Sequence, residues 1–271
     1  MPSRDPYTFQ TADRTIKIGI FPVGVETMQL NRLARRAVHS RFVREVVESL
    51  AGRVMIIGVD RLDYSKGIQL RMEAFGRFLS THLEWRGKVT YLQITPKSRS
   101  EIQEYADMQR QIDETAGHVN GTYGEASWTP IRYVNRSHSR SALAGLYRSA
   151  KAALVTPLRD GMNLVAKEYV AAQESEDPGV LILSRFAGAA VECEAALLVN
   201  PYDPESVGSA IGQALSMPLP ERRSRHDALF RVLMANDLDS WGERFLIALT
   251  RPVKLPNWLG ETDPSEVPLQ P

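Results

Sequence analysis

The chain has 271 residues, 43% of them apolar, and its 33 basic and 32 acidic residues leave a net charge of +1. This length suits one large domain or two small ones, and the composition is that of an ordinary globular protein. The balanced charge gives no reason to expect a nucleic-acid or membrane partner. The single cysteine, Cys193, excludes an internal disulfide and a cysteine-based zinc cluster. Without a long apolar run or an apolar N-terminal segment, the sequence predicts a cytoplasmic protein.

Strands and helices are predicted to alternate along most of the chain, because short apolar runs alternate with segments of helical periodicity. The predicted strands are residues 15–21, 54–59, 88–94, 131–134, 153–156, 179–183 and 196–199. The predicted helices are residues 30–50, a segment after Gly67, 98–113, 141–149, a segment from Leu164, 204–216, 221–236 and 240–250. Residues 116–124 are predicted to be a loop, and residues 186–193 a loop or short helix.

This alternation predicts an α/β fold, a single Rossmann-like parallel sheet with helices on both faces. We expect residues 1–14 to be loose, residues 15–251 to form the domain, and the proline-rich residues 252–271 to be a tail. In such sheets ligands bind beyond the carboxyl ends of the strands. The search for a site therefore narrows to the loops that follow the predicted strands.

The most informative stretch is residues 152–172, a predicted strand, a polar turn over residues 157–163, and a helix from Leu164. Gly161 suits a tight turn, and Asn163 is a good helix N-cap. A helix N-terminus at the end of a strand suits a phosphate. Asp160 and Glu168 flank this point. Glu168 lies ~7 Å from Asn163 along the helix axis, which is a plausible distance from a diphosphate to a ribose. The two acids fit either an acid–base pair or a helix cap and a surface charge.

Arg61 and Lys66 share the loop after the strand at residues 54–59. A guanidinium and an ammonium group that converge on one place suit a diphosphate. Such a pair at a strand end is by itself a weak signal. The sequence contains neither the P-loop pattern nor a glycine-rich dinucleotide fingerprint after the first strand.

Two further groups lie in loops after predicted strands. Lys97 and Arg99, in residues 96–100, are either surface charges or ligands for a second phosphate. His138 follows a short strand, where it is either an acid–base group or a surface or packing residue. No set of histidines and acids has convincing metal-ligand spacing, so no metal and no cofactor is predicted.

Four segments carry a resemblance to the trehalose-6-phosphate synthases, which are retaining glucosyltransferases of the two-domain GT-B fold. The resemblance spans about residues 18–250, and in that family the C-terminal half binds the nucleotide-sugar. It implies that this chain is equivalent to that C-terminal half. The four segments are DRLDYSKG (60–67), PLRDGMNLVAKEYVAAQ (157–173), SRFAGAA (184–190) and NPYD (200–203).

The resemblance also implies roles for individual residues, with Arg61, Lys66 and Asp160 as the catalytic ones. No protein nucleophile is implied, since the leaving phosphate can itself accept the proton of the acceptor. The implied contacts are Arg61 and Lys66 with the diphosphate, Asp160, Gly161, Met162 and Asn163 with glucose, the amides of Leu164 and Val165 with the phosphates, Glu168 with the ribose, His138 near the base, and Arg99 with the acceptor's phosphate.

The family's members are far longer than this chain, and a whole N-terminal domain precedes the matching stretch. The implied reaction transfers glucose from UDP-glucose or GDP-glucose to glucose 6-phosphate, and this chain would supply the donor half of the site. A separate acceptor domain or a homo-oligomer would complete it. Two alternatives stay open at this point, a pseudo-glycosyltransferase that joins cyclitols and a non-catalytic sugar-nucleotide-binding subunit.

Overall fold

The computed structural model describes residues 8–10, 15–96 and 103–250. These residues fall into two compact units, a large one of residues 22–240 and a small one that contains the described residues up to Phe21 and from Trp241 onward. In the small unit, the Trp241 indole N–H donates to the Phe21 carbonyl over 3.0 Å. The Phe245 ring stacks on Trp241 at 5.9 Å between centroids.

Strands and helices alternate along the described residues. The strands are β1 (Thr8–Gln10), β2 (Thr15–Lys17), β3 (Val54–Val59), β4 (Val89–Ile94), β5 (Ile131–Val134), β6 (Ala152–Val155), β7 (Val180–Ser184) and β8 (Leu197–Val199). The α-helices are α1 (Thr27–Ala37), α2 (Arg41–Glu48), α3 (Ile68–Thr81), α4 (Gln103–Tyr123), α5 (Arg140–Ser149), α6 (Leu164–Ala172), α7 (Pro204–Ser216), α8 (Leu219–Ala235) and α9 (Leu238–Thr250).

The large unit is built on a six-stranded sheet in the order β5-β4-β3-β6-β7-β8, in which every pairing is parallel. Along β3, Ile57 packs into an apolar cluster with α1, α5 and α6, whereas Ile56 packs into the opposite cluster with α3, α4 and α7. Both faces of the sheet are therefore covered, as expected of parallel strands. The predicted parallel α/β fold is confirmed.

The strand order reverses beside β3. The chain builds outward from β3 through β4 to β5, then returns to place β6 against β3, with Ile57 opposite Ala153. The helices that follow β3 and β6, α3 and α6, therefore lie on opposite faces of the sheet. This topological switch point is where ligands bind in open α/β sheets.

The prediction of a strand over residues 15–21 is wrong in extent and in partner. The strand ends at Lys17 and pairs antiparallel with β1, so that Phe9 lies opposite Ile16, apart from the parallel sheet. The local apolar run does not distinguish these two partners. Further along the same run, Ile18 and Ile20 are exposed, which a strand inside the sheet would not permit.

Two predicted helices have bounds that differ from the structure by more than two residues. Residues 30–50 form α1 and α2 rather than one helix, because Ser40 adopts an extended backbone and its hydroxyl accepts the Val43 amide as an N-cap. The loop predicted for residues 116–124 is instead the end of α4, which carries Gly117 and Gly121 within the helix. Residues 98–102 of the predicted helix lie outside the described part of the chain. Across the residues that are described, no helix is both long and apolar enough to cross a membrane.

Gly145 of α5 packs closely against Ala37 at the end of α1 and Val43 of α2. A Cβ at this position would lie 2.8 Å from Val43 Cγ2 and 3.0 Å from the Ala37 carbonyl oxygen. We expect Gly145→Ala to lower the free energy of unfolding by about 1–3 kcal/mol, the usual cost of overpacking. At this chain length, that loss lowers the melting temperature by ~2–4 °C per kcal/mol in thermal unfolding.

Gly117→Ala is the matched control, because a Cβ there meets no atom within 4 Å and the residue is also inside a helix. It should be neutral or stabilise by up to ~1 kcal/mol, since alanine has the higher helix propensity. Equal effects of the two substitutions would contradict the close packing at Gly145.

Candidate functional site

Two loops meet at the carboxyl ends of β3 and β6, residues 60–67 and residues 156–163. The Leu158 amide donates to the Ser65 carbonyl over 2.7 Å, and the Arg159 amide donates to the same oxygen over 3.4 Å. Gly67 has a φ of +63°, and a Cβ there would lie 3.0 Å from the Thr156 carbonyl oxygen. A side chain here would crowd this carbonyl, and the positive φ also favours glycine.

An ion pair crosses from one loop to the other. The Lys66 ammonium lies 2.5 Å from Asp160 Oδ2, and only 15% and 16% of the two side chains are exposed. Asp160 Oδ2 also accepts from the Asn163 side-chain amide over 3.1 Å, and Oδ1 accepts from the Met162 amide over 3.4 Å. Two of the predicted site residues are therefore in direct contact. Arg61 lies on the same loop as Lys66 and is exposed.

The N-terminus of α6 lies at this ion pair. Asn163 adopts a φ of +73°, which is uncommon for a non-glycine residue, and its Oδ1 accepts the Ala166 amide over 3.3 Å. The predicted N-cap at Asn163 is confirmed. The amides of Leu164 and Val165 belong to the first helical turn, whose N–H groups have no carbonyl partner within the helix. The Leu164 side chain is 39% exposed, so solvent reaches this end of α6.

The turn that carries Asp160 is held from its other side by the loop after β7. The Asp160 amide donates to the Phe186 carbonyl over 3.2 Å, and the Gly188 amide donates to the Asp160 carbonyl over 3.0 Å. The Ala189 amide then donates to the Met162 carbonyl over 2.8 Å. These bonds continue the parallel ladder beyond the ends of β6 and β7. Residues 184–190, which carry part of the sequence resemblance, thus support the site through their backbone.

Arg71 of α3, which is not among the predicted site residues, is buried beneath the two loops. Its guanidinium donates to Asp60, Gln93 and Thr156 and to the Lys66 carbonyl. Burial raises the pKa of the Asp60 carboxyl, while Arg71 and Lys66 oppose that rise. The sequence pattern indicates that Arg71 is buried, because it lies four residues before Phe75 and therefore on the apolar face of the helix.

The remaining predicted residues are more widely spread. Glu168, in the second turn of α6, is half-buried, and burial raises the pKa of its carboxyl while Arg140 opposes the rise. His138 follows the edge strand β5, which β4 and β3 separate from β6, and its ring lies 5.1 Å from that of Phe42. The contact with Phe42 supports the packing alternative for this histidine. Arg99 lies outside the described residues.

The fold and the site together define a Rossmann-like domain that has Arg61, Lys66 and a helix N-terminus at its switch point. Residues 2–251 match the sequence model of glycosyltransferase family 20. The chain belongs to that family.

Three relatives illustrate the match. The trehalose-6-phosphate synthase of Sinorhizobium fredii (strain NBRC 101917 / NGR234) is 55% identical over 237 residues, which cover 88% of this chain and 51% of that protein. An alpha,alpha-trehalose-phosphate synthase (UDP-forming) from Burkholderia xenovorans, solved in complex with glucose-6-phosphate, is 44% identical with a TM-score of 0.88. That match covers 89% of this chain and 53% of the other.

The third relative is an E. coli structure bound with UDP-2-fluoro glucose, 40% identical with a TM-score of 0.87, covering 93% of this chain and 56% of that one. The chain spans about half the length of the curated relatives that it matches.

The raised pKa of Glu168 predicts how substitution changes stability with pH. A raised pKa means that the folded protein holds the proton more tightly than the unfolded chain, so the carboxyl weakens the fold as the pH rises above its ordinary value of 4.5. Glu168→Gln should therefore raise the melting temperature at pH 7 and leave it unchanged well below pH 4.5. Thermal unfolding across this pH range measures the difference.

Glu48→Gln on α2 is the control, because Glu48 is exposed. At pH 7 it should change the melting temperature less than Glu168→Gln does. A Glu168→Gln protein that is less stable than the unsubstituted chain at pH 7 would contradict the cost assigned to burying this carboxylate.

Proposed function

We propose that this chain forms the nucleotide-sugar half of a retaining glucosyltransferase, which transfers glucose from UDP-glucose or GDP-glucose to glucose 6-phosphate and yields trehalose 6-phosphate. The observation that carries the proposal is the Lys66–Asp160 ion pair, which lies at the N-terminus of α6 and at the switch point of the sheet. Membership of glycosyltransferase family 20 and relatives named trehalose-6-phosphate synthase support it.

The diphosphate is assigned to the cationic loop and the helix N-terminus. Arg61 can pair two phosphate oxygens at once, whereas Lys66 acts as a compact point charge. The amides of Leu164 and Val165 add donors at the positive end of the α6 dipole. Since Lys66 is paired with Asp160 in the free protein, the site does not present an uncompensated ammonium before the diphosphate binds.

The sugars are assigned to the acidic residues and the turn. Asp160 and the backbone of Gly161, Met162 and Asn163 face the glucose, whose hydroxyls can donate to the Asp160 carboxylate. Glu168 accepts from the ribose hydroxyls. The burial that raises the pKa of Glu168 also lowers the local dielectric, so a hydrogen bond to its ionised form is strengthened there.

The chemistry breaks the bond between the anomeric carbon and the diphosphate, and the diphosphate leaves with the electron pair. The acceptor hydroxyl forms its bond to the anomeric carbon on the same face, and its proton passes to an oxygen of the leaving phosphate. Negative charge therefore grows on the diphosphate in the transition state, where Arg61, Lys66 and the helix N-terminus stabilise it. Asp160 orients the sugar while this charge develops.

The acceptor side of the reaction needs groups beyond the described site. We assign Arg99 to the phosphate of glucose 6-phosphate. On the donor side, we assign His138 to the neighbourhood of the nucleotide base. A separate acceptor half or a second copy of the chain would complete the cleft. The length of the curated relatives, about twice the matched stretch, supports this assignment.

Calorimetric titration of the purified chain with UDP, GDP and uridine tests the donor site. We expect micromolar binding of one nucleoside diphosphate, weakened about tenfold to a hundredfold by Lys66→Ala and by Arg61→Ala, because a hydrogen bond to a charged group contributes ~1.5–3 kcal/mol. Uridine, which lacks the diphosphate, should bind weakly and respond to neither substitution.

Lys151→Ala is the matched control. Lys151 also pairs with an aspartate, Asp177, at 3.1 Å, but it precedes β6 and therefore lies at the opposite edge of the sheet. It should leave the affinity for the diphosphate unchanged. A chain that melts cooperatively and binds neither UDP nor GDP would contradict the donor-site assignment.

A further inference from the structure

Arg71 is a deeply buried charged residue beneath the two loops, with a relative exposure of 1%. Its Nε donates to Thr156 Oγ1 over 3.0 Å, and its Nη1 donates to Asp60 Oδ2 over 2.6 Å and to Gln93 Oε1 over 3.2 Å. Its Nη2 donates to the Lys66 carbonyl over 3.1 Å. All three guanidinium nitrogens therefore have acceptors, as a buried charge requires.

The four acceptors come from three neighbouring strands and one loop. Asp60 directly follows β3, Gln93 lies near the carboxyl end of β4, and Thr156 directly follows β6. One planar guanidinium thus ties the carboxyl ends of the three adjacent strands to the loop that carries Lys66. Arginine suits this role because its fork of donors has a fixed geometry.

These contacts hold both of the loops that carry the Lys66–Asp160 ion pair. Arg71 holds the backbone of Lys66 on one side and, through Thr156, the start of the turn that leads to Asp160 on the other. Next to these attachment points along the two loops, the Leu158 amide donates a hydrogen bond to the Ser65 carbonyl. A buried ion pair is rarely a gain in stability over apolar residues of the same volume, so the geometry that it imposes is the more informative property.

We propose that Arg71 is a positioning residue, which sets the Lys66 loop and the Asp160 turn in the register that lets both side chains meet the diphosphate and sugar of a nucleotide-sugar. The proposal deepens the proposed function and depends on it for the ligand. The register of the two loops, however, can be measured in the free protein.

The first test is amide hydrogen exchange of the ligand-free chain, measured by NMR. Arg71→Lys keeps the charge that compensates Asp60 but lacks the planar fork, so the fold should survive while the loops separate. We expect the Leu158 amide to exchange at least about tenfold faster, with the central amides of Ile57 and Leu154 unchanged. An unchanged Leu158 amide, or a uniform acceleration that includes Ile57 and Leu154, would overturn the proposal.

Arg222→Lys is the matched control for the loss of a buried guanidinium. Arg222 is 7% exposed and donates to the Pro178 carbonyl and to Asp177, both in the segment that precedes β7 and so at the opposite edge of the sheet. It should leave the Leu158 amide unaffected. If Arg222→Lys accelerates the Leu158 amide as much as Arg71→Lys does, the effect is general loosening and the positioning role fails.

The second test is a double-mutant cycle on UDP affinity with Arg71→Lys and Lys66→Ala. If Arg71 acts through Lys66, the double variant binds UDP no more weakly than Lys66→Ala alone, and uridine affinity is unchanged throughout. If the two substitutions reduce UDP affinity by independent factors that multiply, or if they reduce uridine affinity equally, Arg71 does not act through Lys66. If the unsubstituted chain binds no nucleoside diphosphate, the proposed function fails, whereas the exchange experiment still decides whether Arg71 sets the loop register.

Discussion

The parallel pairing of β3 with β6 is the constraint on which the rest of the site depends. These strands are far apart in sequence, and only the reversal of strand order brings Ile57 beside Ala153. Because both strands run in the same direction, their carboxyl ends open at the same edge. Lys66 and Asp160, which are 94 residues apart, come within hydrogen-bonding distance as a consequence. A shift of one residue in this register would move every side chain of one strand to the opposite face.

Much of this arrangement could be predicted from local patterns. The parallel α/β class followed from alternating apolar runs and helical periods, and Asn163 was recognisable as an N-cap. Local patterns failed where contacts with residues distant in sequence determine the secondary structure or the pairing of a strand. Residues 15–17 pair with β1 rather than with the parallel sheet, and Gly117 and Gly121 lie inside α4 because tertiary contacts override their low helix propensity.

The buried network around Arg71 escaped prediction for a related reason. A single arginine on a helix is usually a solvent-exposed charge, and only the fold shows that Asp60, Gln93 and Thr156 converge on it. Lys66 and Asp160 were predictable as individual site residues, but not as an ion pair in which each charge compensates the other. The assignment of ligands to these residues stays a prediction, whereas their proximity is a property of the fold.

The backbone bonds between residues 160–162 and residues 186–189 have a consequence for the thermodynamics of binding. Peptide groups make these bonds, so the turn is ordered when the chain folds rather than when a ligand arrives. The entropy cost of ordering that turn is therefore already met, and association should require little reorganisation of the amides at the start of α6. The same backbone hydrogen bonds also limit how far the turn can change its conformation. A Cβ on Gly188 would overlap the Gly161 carbonyl, so larger residues at this position would displace the turn. The proposed donor site would thus have a backbone that is ordered before binding, and variation in ligand preference would have to come from the side chains around it.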